Sequence, residues 1–247
     1  MRLYLIRHAQ SENNVAYSAD GGIVGHKPDP EITESGHHQS QRLARYMADS
    51  GNESRKHPHL ADNTHDFELT HIYCSLMTRS LLTAEYLSRE TGITATARED
   101  LFERKGIYSH DERGNEIGKP GPGRQYFHDR FPGVALPEDL PEDGWWNRPV
   151  ESDEDFLSRV TNSLEQIIAR HLGKDDVVAL VVHGDYIDQA VNELMGVDRH
   201  SHNYADLWLA NWVFHNTSIS RVDFRENTRN VIYLNRVDHL TPELITW

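Results

Sequence analysis

Short apolar runs alternate with amphipathic stretches along most of the chain. Residues 3–6, 69–74 and 177–182 are short and rich in β-branched or bulky apolar side chains. The third, VVALVV, has no polar face, as a strand buried on both sides in a parallel sheet requires. Between these runs the apolar positions recur at helical spacing. Phe156, Val160, Leu164, Ile167 and Ile168 form one stripe, and Leu172 with Gly173 closes it. Leu43 and Met47 mark a second helix after TESGHHQSQ, Leu82 and Tyr86 a third after SLMTR, and DQAVNELMG a fourth ending at Gly196. Strand–helix alternation of this kind predicts an α/β fold with a mostly parallel central sheet and helices on both faces. ISRVDF and NVIYLNRV, separated by the polar RENTRN, predict a hairpin near the end of the chain.

Two stretches break the alternation. Residues 51–66 are polar and predict a surface loop. Residues 105–149 carry Gly118, Pro120, Gly121, Pro122 and Gly123, then Trp145 and Trp146, and form the longest insertion. A long irregular segment within a compact domain is commonly a functional lid, and paired tryptophans favour a packed one. With no repeat and no evident linker, residues 1–247 are expected to form a single domain carrying this lid.

Charge narrows the partners. The chain has 25 Lys plus Arg against 39 Asp plus Glu, a net charge of −14. Such a surface disfavours nucleic acid and anionic membranes, yet leaves room for a locally positive pocket. Cys74 is the one cysteine, which fits a reducing compartment. No leader-like segment opens the sequence and no run spans a bilayer, so a cytoplasmic location is expected. Nothing in the sequence speaks to oligomeric state.

The chemistry gathers where three predicted strands end. Arg7 and His8 follow the first strand, Arg79 opens the helix after the second, and His183–Gly184 follows VVALVV. Open α/β sheets bind ligands at the carboxyl ends of their strands, where free helix N–H groups also favour anions. Two guanidinium groups suit the oxygens of a phosphoryl group. Two crowded histidines cannot both be charged easily, and one left neutral is a nitrogen nucleophile.

The segments RHAQSENN, DPEITESGHHQSQRLA, CSLMTRSLLTAEYL, LFERKG, VVHGDYI and NTSISRVDF with YLNRVDHL occur in this order. Together they resemble the histidine phosphatase superfamily, also called the phosphoglycerate mutase-like family. The resemblance implies that His8 is the nucleophile and that Arg7, Arg79 and His183 hold the phosphoryl oxygens. It makes Ser11 a substrate-contacting hydroxyl and has Asn14 and the Gly184 backbone assist in binding the phosphoryl group. It makes Glu103 the proton donor to the leaving oxygen and later the base for water. Ala9 stands where the family has glycine, and Asp185 adds an acid that either shares the proton-donor role or caps the next helix.

The implied activity is a phosphomonoester hydrolase working through phosphohistidine on a small phosphorylated metabolite. A cofactor-dependent phosphoglycerate mutase is the alternative, and a non-catalytic phospholigand-binding or scaffold module a third reading. RKGIYSHDERGNEIG lacks the His-Tyr-Gly continuation expected of a mutase. No metal is expected, since Arg7, Arg79 and a protonated His183 would supply the positive charge. No cofactor is expected either, with 2,3-bisphosphoglycerate needed only in the mutase reading. His57 with His59, and His200 with His202, have a spacing that metal sites use but bring no thiolates. His37–His38 is expected at the surface, and Cys74 in the core.

Overall fold

The computed structural model describes residues 1–20, 26–49, 67–197, 211–225 and 228–247, with the side chains of residues 19 and 20 excepted. The predicted 51–66 loop and the four histidines His57, His59, His200 and His202 lie outside these residues, as do Glu226 and Asn227 in the hairpin turn.

The order of elements is β1 (Arg2–Arg7), α1 (Glu12–Asp20), α2 (Glu34–Ala48), β2 (His71–Ser75), α3 (Thr78–Thr91), β3 (Ala95–Arg98), β4 (Tyr108–His110), β5 (Glu116–Gly118), α4 (Arg124–Arg130), α5 (Asp153–His171), β6 (Val177–Val182), α6 (Gly184–Leu194), β7 (Ile219–Arg225) and β8 (Thr228–Arg236). Six strands form one sheet in the order β3-β2-β6-β1-β7-β8. The pairs β3–β2, β2–β6 and β6–β1 are parallel, and the expected hairpin adds β7 and β8 antiparallel at one side. β1, β2 and β6 therefore lie side by side and end on the same edge.

Side-chain alternation splits the core into two layers. Leu3 and Leu5 of β1 join Val178, Leu180 and Val182 of β6 under α5 and α6. Tyr4 and Ile6 join Ile72, Cys74, Ala179 and Val181 under α2 and α3. Both faces of the central strands are covered, which is why VVALVV carries no polar position. Cys74 is fully buried, and burial pushes its thiol up to about 12. His37 and His38 are exposed.

α2 begins at Thr33, whose hydroxyl accepts the Gly36 N–H at 3.0 Å. A Cβ on Gly36 would lie 2.3 Å from the Gln10 carbonyl, so only glycine lets the helix approach the loop that leaves β1. Gln39 then accepts the Gln10 N–H at 2.8 Å. The TESGHHQ segment is thus a brace for the loop after His8.

The insertion is part of the core rather than a detached cover. Phe127, Phe131, Leu140, Trp145 and Trp146 are buried in the same cluster as Ile72 and Cys74. Trp146 packs edge-on against Phe102 at 4.7 Å between centroids. Ala135 exchanges hydrogen bonds of 2.8 Å with Ala95 and Ala97, extending the sheet past β3. Only the β4–β5 hairpin stands over the carboxyl edge of the sheet, where Tyr108, His110 and Glu116 reach the cleft described below.

Candidate active site

Arg7, His8, Arg79 and Glu103 line one cleft of about 490 Å³ at the carboxyl ends of β1 and β2, together with Ser11 and Asn14. His183 leaves β6 with its ring 5.1 Å from that of His8. The fold therefore brings together the residues that the sequence placed at three strand ends.

The tautomer of His8 follows from its contacts. Nδ1 lies 2.7 Å from the Ala9 carbonyl, which can only accept, so Nδ1 carries the proton. Nε2 then holds the lone pair, and Arg79 Nε donates to it at 3.1 Å. Burial, and next the charges of Arg79 and Arg7, hold the His8 pKa well below its ordinary value. His8 is a neutral nitrogen base across the physiological range. Ala9 is accommodated: it is fully buried and its N–H donates to Thr83 Oγ1 at 3.0 Å.

His183 is neutral as well, which corrects the expectation of a protonated ring. Burial, followed by Arg79 and His8, pushes its pKa far down. Its Nε2 meets Ser75 Oγ at 2.7 Å, while Nδ1 is buried without a partner. Arg7 donates through Nη1 to the Phe214 carbonyl and leaves its own buried Nε unpartnered. Burial lowers Arg7 to about 10, so it stays charged at neutral pH. A buried donor without an acceptor costs about 1–3 kcal/mol. Two such nitrogens near the His8 lone pair are what an incoming phosphoryl group would satisfy.

The helix N-termini differ from expectation. The Asp185 and Tyr186 N–H groups at the start of α6 donate to Glu103 Oε2 and Oε1 at 3.2 Å each. Thr78 N–H at the start of α3 donates to Asp29 at 3.0 Å. Carboxylates of the chain occupy these donors, so positive charge for a substrate comes from the arginines. Glu103 is nonetheless raised to about 7, by burial first and then by the charge of Asp185, against the Arg104 N–H, the charge of Arg79 and the Asp185 N–H. Its Oε2 lies toward Gly184: a Cβ there would sit 3.9 Å from this oxygen and 3.6 Å from Arg7 Nε. The missing side chain keeps open the space between acid and guanidinium.

Asp185 is exposed and lies on the first turn of α6; the N-cap position belongs to His183. The capping role read from the sequence is therefore not its place. Ser11 is buried, and both its N–H and its hydroxyl donate to Asn14 Oδ1 at 2.9 Å. Asn216 Nδ2 adds a third donor at 3.3 Å and also binds the His8 carbonyl at 3.2 Å. Ser11 thus holds Asn14, whose NH₂ end is left for the cleft. Sequence reasoning missed Ser75, Asp29, Thr83 and Asn216, which orient the named residues without touching a phosphoryl position. All four do lie within the segments named above: Asp29 in DPEITESGHHQSQRLA, Ser75 and Thr83 in CSLMTRSLLTAEYL, and Asn216 in NTSISRVDF. It also missed His26, Tyr108 and His110, which line the outer cleft beside Lys105.

A neutral imidazole lone pair, two guanidinium groups, a second neutral imidazole and a carboxyl group near neutrality form a centre suited to phosphoryl transfer through nitrogen. The chain belongs to the histidine phosphatase superfamily, branch 1, whose family model matches residues 3–237. Two curated relatives, both provisionally named, span most of it. A phosphoglycerate mutase of Photorhabdus laumondii is 24% identical over 92% of this chain and 86% of its own length. A phosphoserine phosphatase of Hydrogenobacter thermophilus is 25% identical over 96% and 97%. Among solved structures, the alpha-ribazole phosphatase of Shigella flexneri aligns with a TM-score of 0.59 at 17% identity, covering 96% of each chain. At that identity it speaks for the fold alone. Among the described residues no helix is long and apolar enough to cross a membrane.

Proposed function

We propose that the protein hydrolyses a phosphomonoester of a small metabolite through a phosphohistidine on His8. The observation that carries this reading is the pairing of the lone pair on His8 Nε2, held by Arg79 Nε, with the unpartnered buried donors Arg7 Nε and His183 Nδ1. In the first step Nε2 attacks phosphorus and the ester P–O bond breaks. The Arg79 N–H that covers the lone pair moves to a phosphoryl oxygen. Protonated Glu103 gives its proton to the departing alkoxide, and Nδ1 keeps its own proton on the Ala9 carbonyl. In the second step Glu103, now a carboxylate, takes a proton from water. The water oxygen attacks phosphorus, the N–P bond breaks, and inorganic phosphate leaves with His8 neutral again. The catalytic step calls for neither metal nor cofactor, because the arginines carry the charge. The single reduced cysteine supports a cytoplasmic setting.

Hydrolysis is favoured over mutase chemistry by the shape of the site. A second hollow of about 650 Å³ shares Arg7, Asn14, Tyr17 and Arg104 with the first. The cleft therefore continues past Arg7 and Asn14 into a second space that water can enter, whereas a mutase must keep water from its phosphohistidine. Arg7, His8, Arg79, Glu103 and His183 are all present, which argues against a binding-only module. The relatives carry both names, so the decision rests on assay. Turnover of a phosphomonoester panel, with and without 2,3-bisphosphoglycerate, tests the reading. Phosphate release without the bisphosphate is expected; transfer between carbons of phosphoglycerate that depends on it would replace hydrolase by mutase.

A further inference from the structure

At the opposite edge of the sheet, far along the strands from His8, lies a second cluster of ligating side chains. His71 opens β2, His171 ends α5, and Asp176 precedes β6. One ligand atom from each falls within 4.8 Å of the others, the one such group of three among the described residues. His171 is buried, with its ring edge-on to that of His71 at 4.5 Å between centroids. We propose that His71, His171 and Asp176 bind a divalent transition-metal ion of the zinc type, in a site separate from the phosphoryl centre.

The surrounding contacts are those of a ligand set. His71 Nδ1 meets Thr70 Oγ1 at 2.8 Å, which leaves Nε2 as its free nitrogen. Thr70 is itself fixed by Val177, whose N–H donates to the same hydroxyl at 2.9 Å. His171 Nε2 meets the Tyr73 hydroxyl at 3.1 Å, turning Nδ1 toward Asp176 Oδ2 at 2.7 Å. Each histidine thus has one nitrogen held by a hydroxyl, the kind of outer support that orients imidazole on a metal. The other nitrogen of His171 faces the Asp176 carboxylate, and that of His71 is left for a ligand. Without metal, the His171 Nδ1–H bonds Asp176. With metal, the ring takes its other neutral tautomer: Nδ1 gives its proton to water, and Nε2 takes one up from water and donates a hydrogen bond through it to Tyr73. Nδ1 and Oδ2 separate slightly to flank the ion. Two imidazoles and one carboxylate suit Zn²⁺ or Co²⁺ rather than Ca²⁺ or Mg²⁺. His71 and Asp176 are half-exposed, so water can complete the coordination. Bound metal would tie together β2, the end of α5 and the entry to β6.

The test is titration of the EDTA-stripped full chain with Co²⁺ and Zn²⁺, beside His71→Gln and Asp176→Asn. Wild type is expected to bind one Co²⁺ at this site, with the visible spectrum of a four- or five-coordinate ion. Zn²⁺ at about a hundred times its Kd should raise Tm by roughly 5 °C or more. Both responses should vanish in both variants. Each metal response is compared with the same variant stripped of metal, so a general loss of stability does not mimic the result. Retention of the Co²⁺ spectrum and the Tm rise in His71→Gln would overturn the site, as would no binding in wild type. Phosphatase turnover should be equal with and without EDTA below the melting range, since the cluster does not reach the cleft.

Discussion

Arg79 Nε donates to His8 Nε2 at 3.1 Å while the far nitrogen of the same ring donates to the Ala9 carbonyl at 2.7 Å. The guanidinium both covers the lone pair and, through its charge, helps keep the ring neutral. kcat/KM should therefore show no acid limb near the ordinary histidine value. Arg79→Met removes a charge that lowers the His8 pKa, so the acid limb should move up toward neutrality. The plateau rate should also fall by about 10³-fold or more, as for loss of an arginine in phosphoryl transfer. Rapid quench in alkali with labelled substrate should trap the label on wild type and not on His8→Ala. Label retained in His8→Ala would remove His8 as nucleophile.

Glu103 titrates where an acid that must also act as base should. Its pKa of about 7 means that it is protonated in the free enzyme below neutrality. The sign then follows: kcat/KM for alkyl phosphates should be maximal below pH 7 and decline above it. Asp185→Asn removes a charge that raises this value, so the basic limb should move to lower pH. Asp185 is exposed and solvent-screened, so the displacement should be small. Glu103→Gln should slow alkyl phosphates by about 10²–10⁴-fold but barely affect p-nitrophenyl phosphate, whose leaving group needs little help. If Asp185→Asn gave that selective loss instead, the acid would be Asp185.

The sequence made the sheet legible because its central strands are buried on both faces. Continuous apolar runs such as VVALVV admit few other readings, and the residues just past three of them fell at one edge. β3 was not read, since ATAR has small and charged residues and forms a strand only by pairing with β2 and Ala135. α1 and α4 were missed for a related reason: neither carries an apolar stripe at helical spacing, and Phe127 is the one buried residue of α4. The charge state of His183 was misread because burial depth, which sequence does not give, and next the neighbouring charge of Arg79 push its pKa down. The helix N-termini misled likewise. Which carboxylate caps them depends on contacts such as Thr78 with Asp29, 49 positions apart.

Ser75 offers a test of positioning without chemistry. Its hydroxyl meets His183 Nε2 at 2.7 Å and accepts the Met77 N–H at 3.2 Å. Donation to Nε2 leaves the proton on Nδ1, the nitrogen without a partner. In Ser75→Ala the ring loses this reason to keep its proton on Nδ1. kcat should fall about tenfold, the scale of one buried hydrogen bond. Ser75→Thr, which restores the hydroxyl, should recover most of it. Equal losses in the two variants would indicate a packing role only.

Substrate choice should reside in the hairpin rather than the whole insertion. Removing residues 118–146 would take Phe127, Phe131, Leu140, Trp145 and Trp146 out of the core. A Cβ on Gly106 would already lie 2.1 Å from the Trp146 ring, which shows how closely the two pack. Trp146→Ala should cost about 3–5 kcal/mol, read as a Tm loss of roughly 10 °C for a chain of this size. The hairpin is different. Tyr108, His110 and Glu116 line the cleft with His26 and Lys105, and Nδ1 of both His26 and His110 is buried without a partner. These groups lie outside the phosphoryl-binding set, so the organic part of the substrate is left for them to read. Tyr108→Ala and His110→Ala should reorder kcat/KM across a phosphomonoester panel while phosphohistidine formation and Tm hold. An unchanged order in both would assign specificity to the second hollow, beside Trp212 and Trp247.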